Sequence, residues 1–389
     1  MGKLKNVIIF GVIILLGIAA VAGYFIKNST GKSTNAETAK EVTIDATKAA
    51  TTSTGTKVSD EPKAPVMLNV SESIVAKGES EREKHVKELL NKAMENPDPN
   101  PVVGIGRGED HAKVTDMAIE NAGGLKGIVK KGDVVLIKPN ICYNSTPDSS
   151  IITDYRVVQQ IADKAKEMGA SRVIVAEGSF SGNAFDVLEN KYSTLKGVEF
   201  LNFNDFDTKD CYELQPLKSL VGKGLFIPKA YMDADVVINV AKMKTHFLPE
   251  AVVSLSIKNC IGIPPERIYT GAGSKDGLHM LGIMETIIDL NRIRKPDLSI
   301  IEGIIGGEGE GPMYNTPVNS NIILAGKDLA ALDTVGLTFM GFKLDEVPHV
   351  KRAGEEKLGI TDIKKIKVVG ADLNSIKMDF QSSFKLLRE

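Results

Sequence analysis

The sequence predicts an α/β fold: a three-layer domain with a mostly parallel or mixed central sheet, preceded by one N-terminal transmembrane helix. Three observations carry that expectation. Short Val/Ile-rich runs alternate with helical stretches, the pattern of strands buried on both faces. Hydrophobic residues make up 42% and charged residues 25%, which supports a sizeable core and excludes a disordered chain, a collagen or a coiled coil. An uncharged run extends over Val7–Ile26.

That run is 20 residues long, and at ~1.5 Å per residue it matches the ~30 Å hydrocarbon core of a bilayer. Residues 1–27 therefore read as a membrane anchor or signal segment. Length favours an uncleaved anchor, while Ala20, Val21 and Ala22 offer a small-residue cleavage site for the signal-peptide alternative. Lys3 and Lys5 compete with Lys27 and Lys32 in setting orientation. The expected arrangement is a single-pass membrane protein with its large domain on the extracytoplasmic side. Residues 28–65 are rich in Ser, Thr and Ala and poor in large apolar side chains, so they read as a disordered tether. Residues 66–389 form the expected α/β domain.

Within it, ESEREKHVKELLNKAMENP (79–97) reads as a helix ended by Pro97, and PVVGIGRG (101–108) as a strand and turn. HAKVTDMAIENAGG (111–124) is a helix closed by glycine. Strands follow at VVLIK (134–138), RVIVAE (172–177), VEFLNF (198–203), DVVINVA (235–241), VVSLSIK (252–258), LSIIEG (298–303) and NIILAG (321–326). Helices are expected at 154–169 and 281–293.

Charge and cysteine content narrow the function classes. The net charge is −2, from 48 Lys+Arg against 50 Asp+Glu, which argues against a nucleic-acid partner. Cys142, Cys211 and Cys260 are the 3 cysteines and form no CxxC. They exclude a disulfide framework and cannot supply four ligands, so this chain alone holds no iron–sulfur cluster.

Ligands of open α/β sheets sit beyond the carboxyl ends of the strands. Those ends are polar here: Lys138 and Asn140 follow VVLIK, Lys242, Lys244 and His246 follow DVVINVA, and Lys258, Asn259 and Cys260 follow VVSLSIK. Four lysines at three strand ends would make a cationic cleft that takes a small anionic ligand. His246 at its mouth suits proton transfer or metal ligation. Glu302 and Asp333 could pair with the lysines or hold a divalent metal with a histidine. His279 is a further metal candidate, and His85, His111 and His349 read as surface positions. GGEGEGP (306–312) reads as a glycine-rich loop whose amides could cradle phosphate. Cys260 reads as a core residue.

The segments VVLIKPN (134–140), GASRVIVAEG (169–178), DVVINVAKMKTHF (235–247), SLSIKNCIGI (254–263), LSIIEGIIGGEGEGP (298–312) and LAGKDLAALDTVG (324–336) occur in an order that resembles the domain-of-unknown-function 362 family, DUF362, over about residues 100–345. Members of that family are often linked to ferredoxin-type iron–sulfur modules, which implies a separate iron–sulfur redox partner as one alternative. The resemblance carries Lys138, Asn140, Lys242, Lys244, His246, Lys258, Asn259, His279, Glu302, Gly311, Pro312, Asp328 and Asp333 into the candidate site. The expected roles are catalysis by His246, Lys244 and Asp333, substrate binding by Lys138, Asn140, Lys242, Lys258, Asn259 and Gly311, and metal ligation by Glu302 and His279. An enzyme acting on a phosphate or carboxylate is the first expectation. A non-catalytic anion- or metal-binding protein is the alternative.

Overall fold

The computed structural model describes residues 66–68, 78–93, 95–270 and 275–382. The expected anchor and tether lie outside the described residues, and among the described residues no helix is long and apolar enough to cross a membrane.

The alternation read in the sequence becomes a mixed sheet. Its strands are β1 (Val66–Met67), β2 (Val102–Arg107), β3 (Val134–Lys138), β4 (Arg172–Glu177), β5 (Glu199–Asn202), β8 (Val236–Thr245), β9 (Val253–Ser254), β10 (Leu298–Glu310), β11 (Tyr314–Gly326) and β12 (Lys367–Val369). Two further strands, β6 (Cys211–Leu214) and β7 (Leu225–Pro228), pair separately as an antiparallel ribbon. The order across the main sheet is β1-β5-β4-β3-β8-β10-β11-β2-β12, with β9 on β8. Only β11 and the short β9 run against the others.

Side chains along each strand alternate between two cores, as the period-two pleat requires. Val135, Ile137, Ile238 and Ile300 enter one core, where they meet α2 (His111–Asn121) and α3 (Tyr155–Glu167). Leu136, Val237, Met243 and Ile301 enter the other, with residues of α8 (Ile283–Ile293), α9 (Leu329–Phe339) and α10 (Pro348–Glu355). The helices start at side-chain caps: Asp110 accepts from the Lys113 amide, Asp154 from Arg156, and Asp328 from Ala330 and Ala331. Asp328 is thus a helix cap rather than part of the cleft. A Cβ on Gly106 would lie 2.1 Å from the Val114 carbonyl oxygen, so this glycine lets α2 pack directly on β2.

Four local expectations are corrected. The first helix, α1, is Glu79–Ala93 and stops short of Pro97. VVSLSIK is not one strand: it splits into β9 and the short helix α5 (Ser256–Asn259), because Asp333 captures the amides of Ser256 and Ile257 and turns the chain. GGEGEGP is not a phosphate loop: Gly306–Glu310 continues β10 and pairs residue by residue with β11. His349 is not at the surface but fully buried on α10, and His111 sits partly buried beside Asp154 at 3.2 Å.

Candidate functional site

The carboxyl ends of β3, β4 and β8 meet α5 and α7 (Asp276–Met280) around a cavity of about 240 Å³. At ~30 Å³ per water molecule that is roughly eight waters, room for a ligand of a few heavy atoms. Asn140, Glu177, Lys244, His246, Lys258, Lys275 and His279 are among the residues lining it. A groove of about 550 Å³ beside α3 is larger, but it is lined by Tyr155, Arg156, Gln159 and Lys196 among others and lacks a cluster of buried titratable groups.

The strand pleat explains part of this set. Lys242 and Lys244 occupy alternate positions of β8 and share a face. They nevertheless reach different partners. Lys242 donates to Glu302 at 2.6 Å, with both side chains at 1% exposure or less. Glu302 also accepts the amides of Asp154 and Ile304, so both of its oxygens are engaged. Lys138 likewise donates to Glu177 at 2.9 Å. Two of the four expected lysines are therefore neutralised inside the protein, and neither lines the cavity.

Lys244 does reach the cavity, and it heads a chain of hydrogen bonds. Its ammonium donates to Asn140 Oδ1 at 2.9 Å, to the Ile151 carbonyl at 2.6 Å and to Cys142 Sγ at 3.2 Å. Asn140 donates to Asn259, Asn259 to Asn239, and Asn239 to the Ser256 carbonyl. Asn259 is buried and is not among the residues lining the cavity; it accepts from Asn140, which is.

Lys258 differs from these. Its side chain lines the cavity, and among the described residues its Nζ makes no hydrogen bond or ion pair. Burial, and then the nearby charge of Lys244, pull its pKa down to about 8. Lys275 donates to the carbonyls of Gly178 and Gly262, and burial pulls it down to about 7. His246 Nδ1 accepts the Leu248 amide at 3.1 Å, which places the proton of the neutral ring on Nε2. Burial, followed by Lys258 and Lys244, holds its pKa well below the ordinary histidine value. The ring is a neutral hydrogen-bond donor at physiological pH. His279 is depressed for the same two reasons, burial first and Lys258 second.

The remaining expected residues sit elsewhere. Asp333 is fully buried beneath α5, accepting from Ser256 Oγ at 2.5 Å and from the amides of Ser256 and Ile257. Burial pushes its carboxyl up to about 7 despite those donors. It holds the turn that carries Lys258 and does not touch the cavity. Gly311 is needed for close packing, since a Cβ there would lie 2.0 Å from the Thr245 carbonyl oxygen, and its neighbour Pro312 is the one that lines the cavity. Glu302 and His279 are not brought together, and among the described residues no group of three His, Cys, Asp or Glu could hold a metal. Cys260 is a buried core thiol, pushed up to about 12 by burial. All three cysteines are free.

Two cavity residues escaped the sequence reading. Glu177 ends β4 as Lys138 ends β3, so the same strand-end rule points to it. Lys275 carries no such signal, because it precedes a short helix and arrives by tertiary folding alone.

The family described as "Domain of unknown function (DUF362)" matches residues 135–338. The thylakoid-associated protein sll1697 of Synechocystis sp. is 30% identical over 249 residues, which covers 62% of this chain and 73% of that protein. Among solved structures, the lactate racemase apoprotein from Thermoanaerobacterium thermosaccharolyticum is 14% identical with a TM-score of 0.41, over 72% of this chain and 61% of that one. A protein from Thermotoga maritima is 12% identical with a TM-score of 0.37, and this chain spans 60% of its length.

Proposed function

The chain belongs to the DUF362 family, and from that premise we propose that it is an enzyme acting on a small anion, a carboxylate or a phosphate, bound among Lys244, Lys258 and Lys275. One observation carries the reading: Lys258 is buried and lines the cavity with no acceptor among the described residues. A buried ammonium is costly unless a negative group compensates it. Glu177 cannot fully serve, because Lys138 and two amides already engage it.

Proton handling falls to His246. Its Nε2–H would donate to a ligand oxygen and stabilise negative charge that develops there, the role of a neutral electrophilic imidazole. Lys244 would be held in place by its three acceptors and act as fixed positive charge. Asp333 and Asn259 would be positioning residues.

Membrane attachment through residues 7–26, with residues 28–65 as a tether and the domain on the extracytoplasmic side, completes the proposal. The relative in Synechocystis sp. is called thylakoid-associated, which agrees with membrane association.

Thermal unfolding of the full chain with oxalate, phosphate or sulfate tests the anion site. A ligand that binds only the native state raises stability by RT ln(1 + [L]/Kd), about 2.7 kcal/mol at a hundredfold excess over Kd. The expected result is a concentration-dependent rise in Tm for at least one anion, lost in Lys258→Ala. No rise with any of the three would overturn the reading.

A further inference from the structure

Lys258 has a second property that anion binding does not require. Three of the other buried lysines are committed: Lys138 to Glu177, Lys242 to Glu302, and Lys244 to Asn140, Cys142 and the Ile151 carbonyl. Lys275 is tied to two carbonyls. Lys258 alone among these five presents an Nζ without a hydrogen bond to any of the described residues, on a cavity wall that it shares with Lys244, His246 and Lys275. Its backbone is fixed by the Asp333 contacts at both Ser256 and Ile257. A desolvated amine beside another cation is how a lysine becomes a nucleophile.

We propose that Lys258 forms an imine with a small carbonyl compound that carries a carboxylate, of the 2-oxo acid class. This rests on the anion-site reading and narrows its substrate. The neutral amine adds to the carbonyl carbon, forming a C–N bond and a carbinolamine. Both amine hydrogens then leave with the carbonyl oxygen as water, giving the C=N bond with no change of oxidation state. His246 Nε2–H is the hydrogen-bond donor for the departing oxygen. Lys244 attracts the carboxylate, and Lys275, whose pKa is about 7, offers it an N–H donor and adds positive charge only below about that pH. The depressed pKa of about 8 agrees with this arrangement: about a tenth of the amine is neutral one pH unit below its pKa.

The test treats the full chain with pyruvate and cyanoborohydride, which reduces an imine to a stable secondary amine. Intact-mass analysis should show one added carboxyethyl group, and peptide mapping should place it on Lys258. Labelling should rise with pH through about 8, and oxalate should slow it by at least tenfold at saturation. Lys258→Arg should lose the label and still be stabilised by oxalate. Oxalate protection of a wild-type protein that takes no label on Lys258, or takes it equally on surface lysines, overturns the imine and leaves the anion site standing. Absence of stabilisation by oxalate, phosphate and sulfate alike in the wild type would remove the anion site itself.

Discussion

Lys138 Nζ and Glu177 Oε2 lie 2.9 Å apart at the ends of neighbouring strands, both almost completely buried. Gly262 closes over this pair, and a Cβ there would lie 2.0 Å from Glu177 Oε1. Gly262→Ala must therefore displace the carboxylate or the 260–262 turn. A cost of about 2–4 kcal/mol is expected from overpacking and a perturbed buried pair. Urea denaturation of the variant checks it, and an unchanged midpoint would contradict the packing described.

Lys242 and Glu302 provide a cleaner test of buried pairing. Glu302→Ala leaves Lys242 without its carboxylate at essentially zero exposure. The expected loss is about 3–5 kcal/mol. Lys242→Met combined with Glu302→Leu should recover most of it, because the uncompensated charge is gone. A double variant no more stable than Glu302→Ala would show that the loss comes from the amides of Asp154 and Ile304 instead.

Anion affinity should depend on pH through Lys258. The amine is charged below about 8 and neutral above it, so it attracts an anion below that pH and ceases to above it. Isothermal titration with oxalate should show affinity falling severalfold between pH 7 and pH 9. Lys258→Arg, which stays charged throughout, should lose the inflection near 8 and keep only the one near 7 from Lys275.

His349 sets an acid limit on stability. Its ring is fully buried, and burial followed by Lys258 lowers its pKa to about 3 against weaker opposing contacts with the backbone of Glu250 and Ala251. In the unfolded chain the ordinary value of about 6.5 applies. Between those values the unfolded state binds the extra proton, so stability falls as pH drops from 6.5 towards 3. The loss at pH 5 is about 2 kcal/mol. His349→Phe should flatten that acid limb of the pH–stability curve.

Cell fractionation tests attachment. The full chain should pellet with membranes, while a chain starting near Pro65 should stay in the supernatant. Expression of the full chain that yields a soluble protein with its N-terminus at Gly23 would instead establish a cleaved signal peptide.

The sheet was largely legible because its strands are buried on both faces, which makes them apolar throughout. VVSLSIK misled because a short apolar run carries no periodicity that separates strand from helix. The decisive contact, Asp333 to Ser256, joins residues 77 apart. The glycines of 306–311 suggested a loop, yet the strand opposite, from Tyr314 to Val318, supplies a partner for each residue from Gly306 to Glu310. The site was legible in outline, since the strand-end rule led to Asn140, Lys244, His246 and Lys258. What it could not provide was the pairing. Glu302 was open as a partner for any of the lysines and takes Lys242, while Lys138 looks like a cleft cation until Glu177, from the next strand, is brought beside it.

The reversed strand β11 also governs the order in which the molecule can be completed during synthesis. β2 leaves the ribosome early, but its neighbours in the sheet are β11 and β12, made more than 200 residues later. Until residues 314–326 emerge, β2 has no hydrogen-bonding partner on either edge, and α2 lacks the contact of its apolar face with Ile323 and Ala325 of β11. Such distant pairing is slow and leaves strand edges exposed meanwhile. The nascent chain must therefore carry an unpaired N-terminal strand through most of its translation, and any truncation ahead of Tyr314 would strand it permanently.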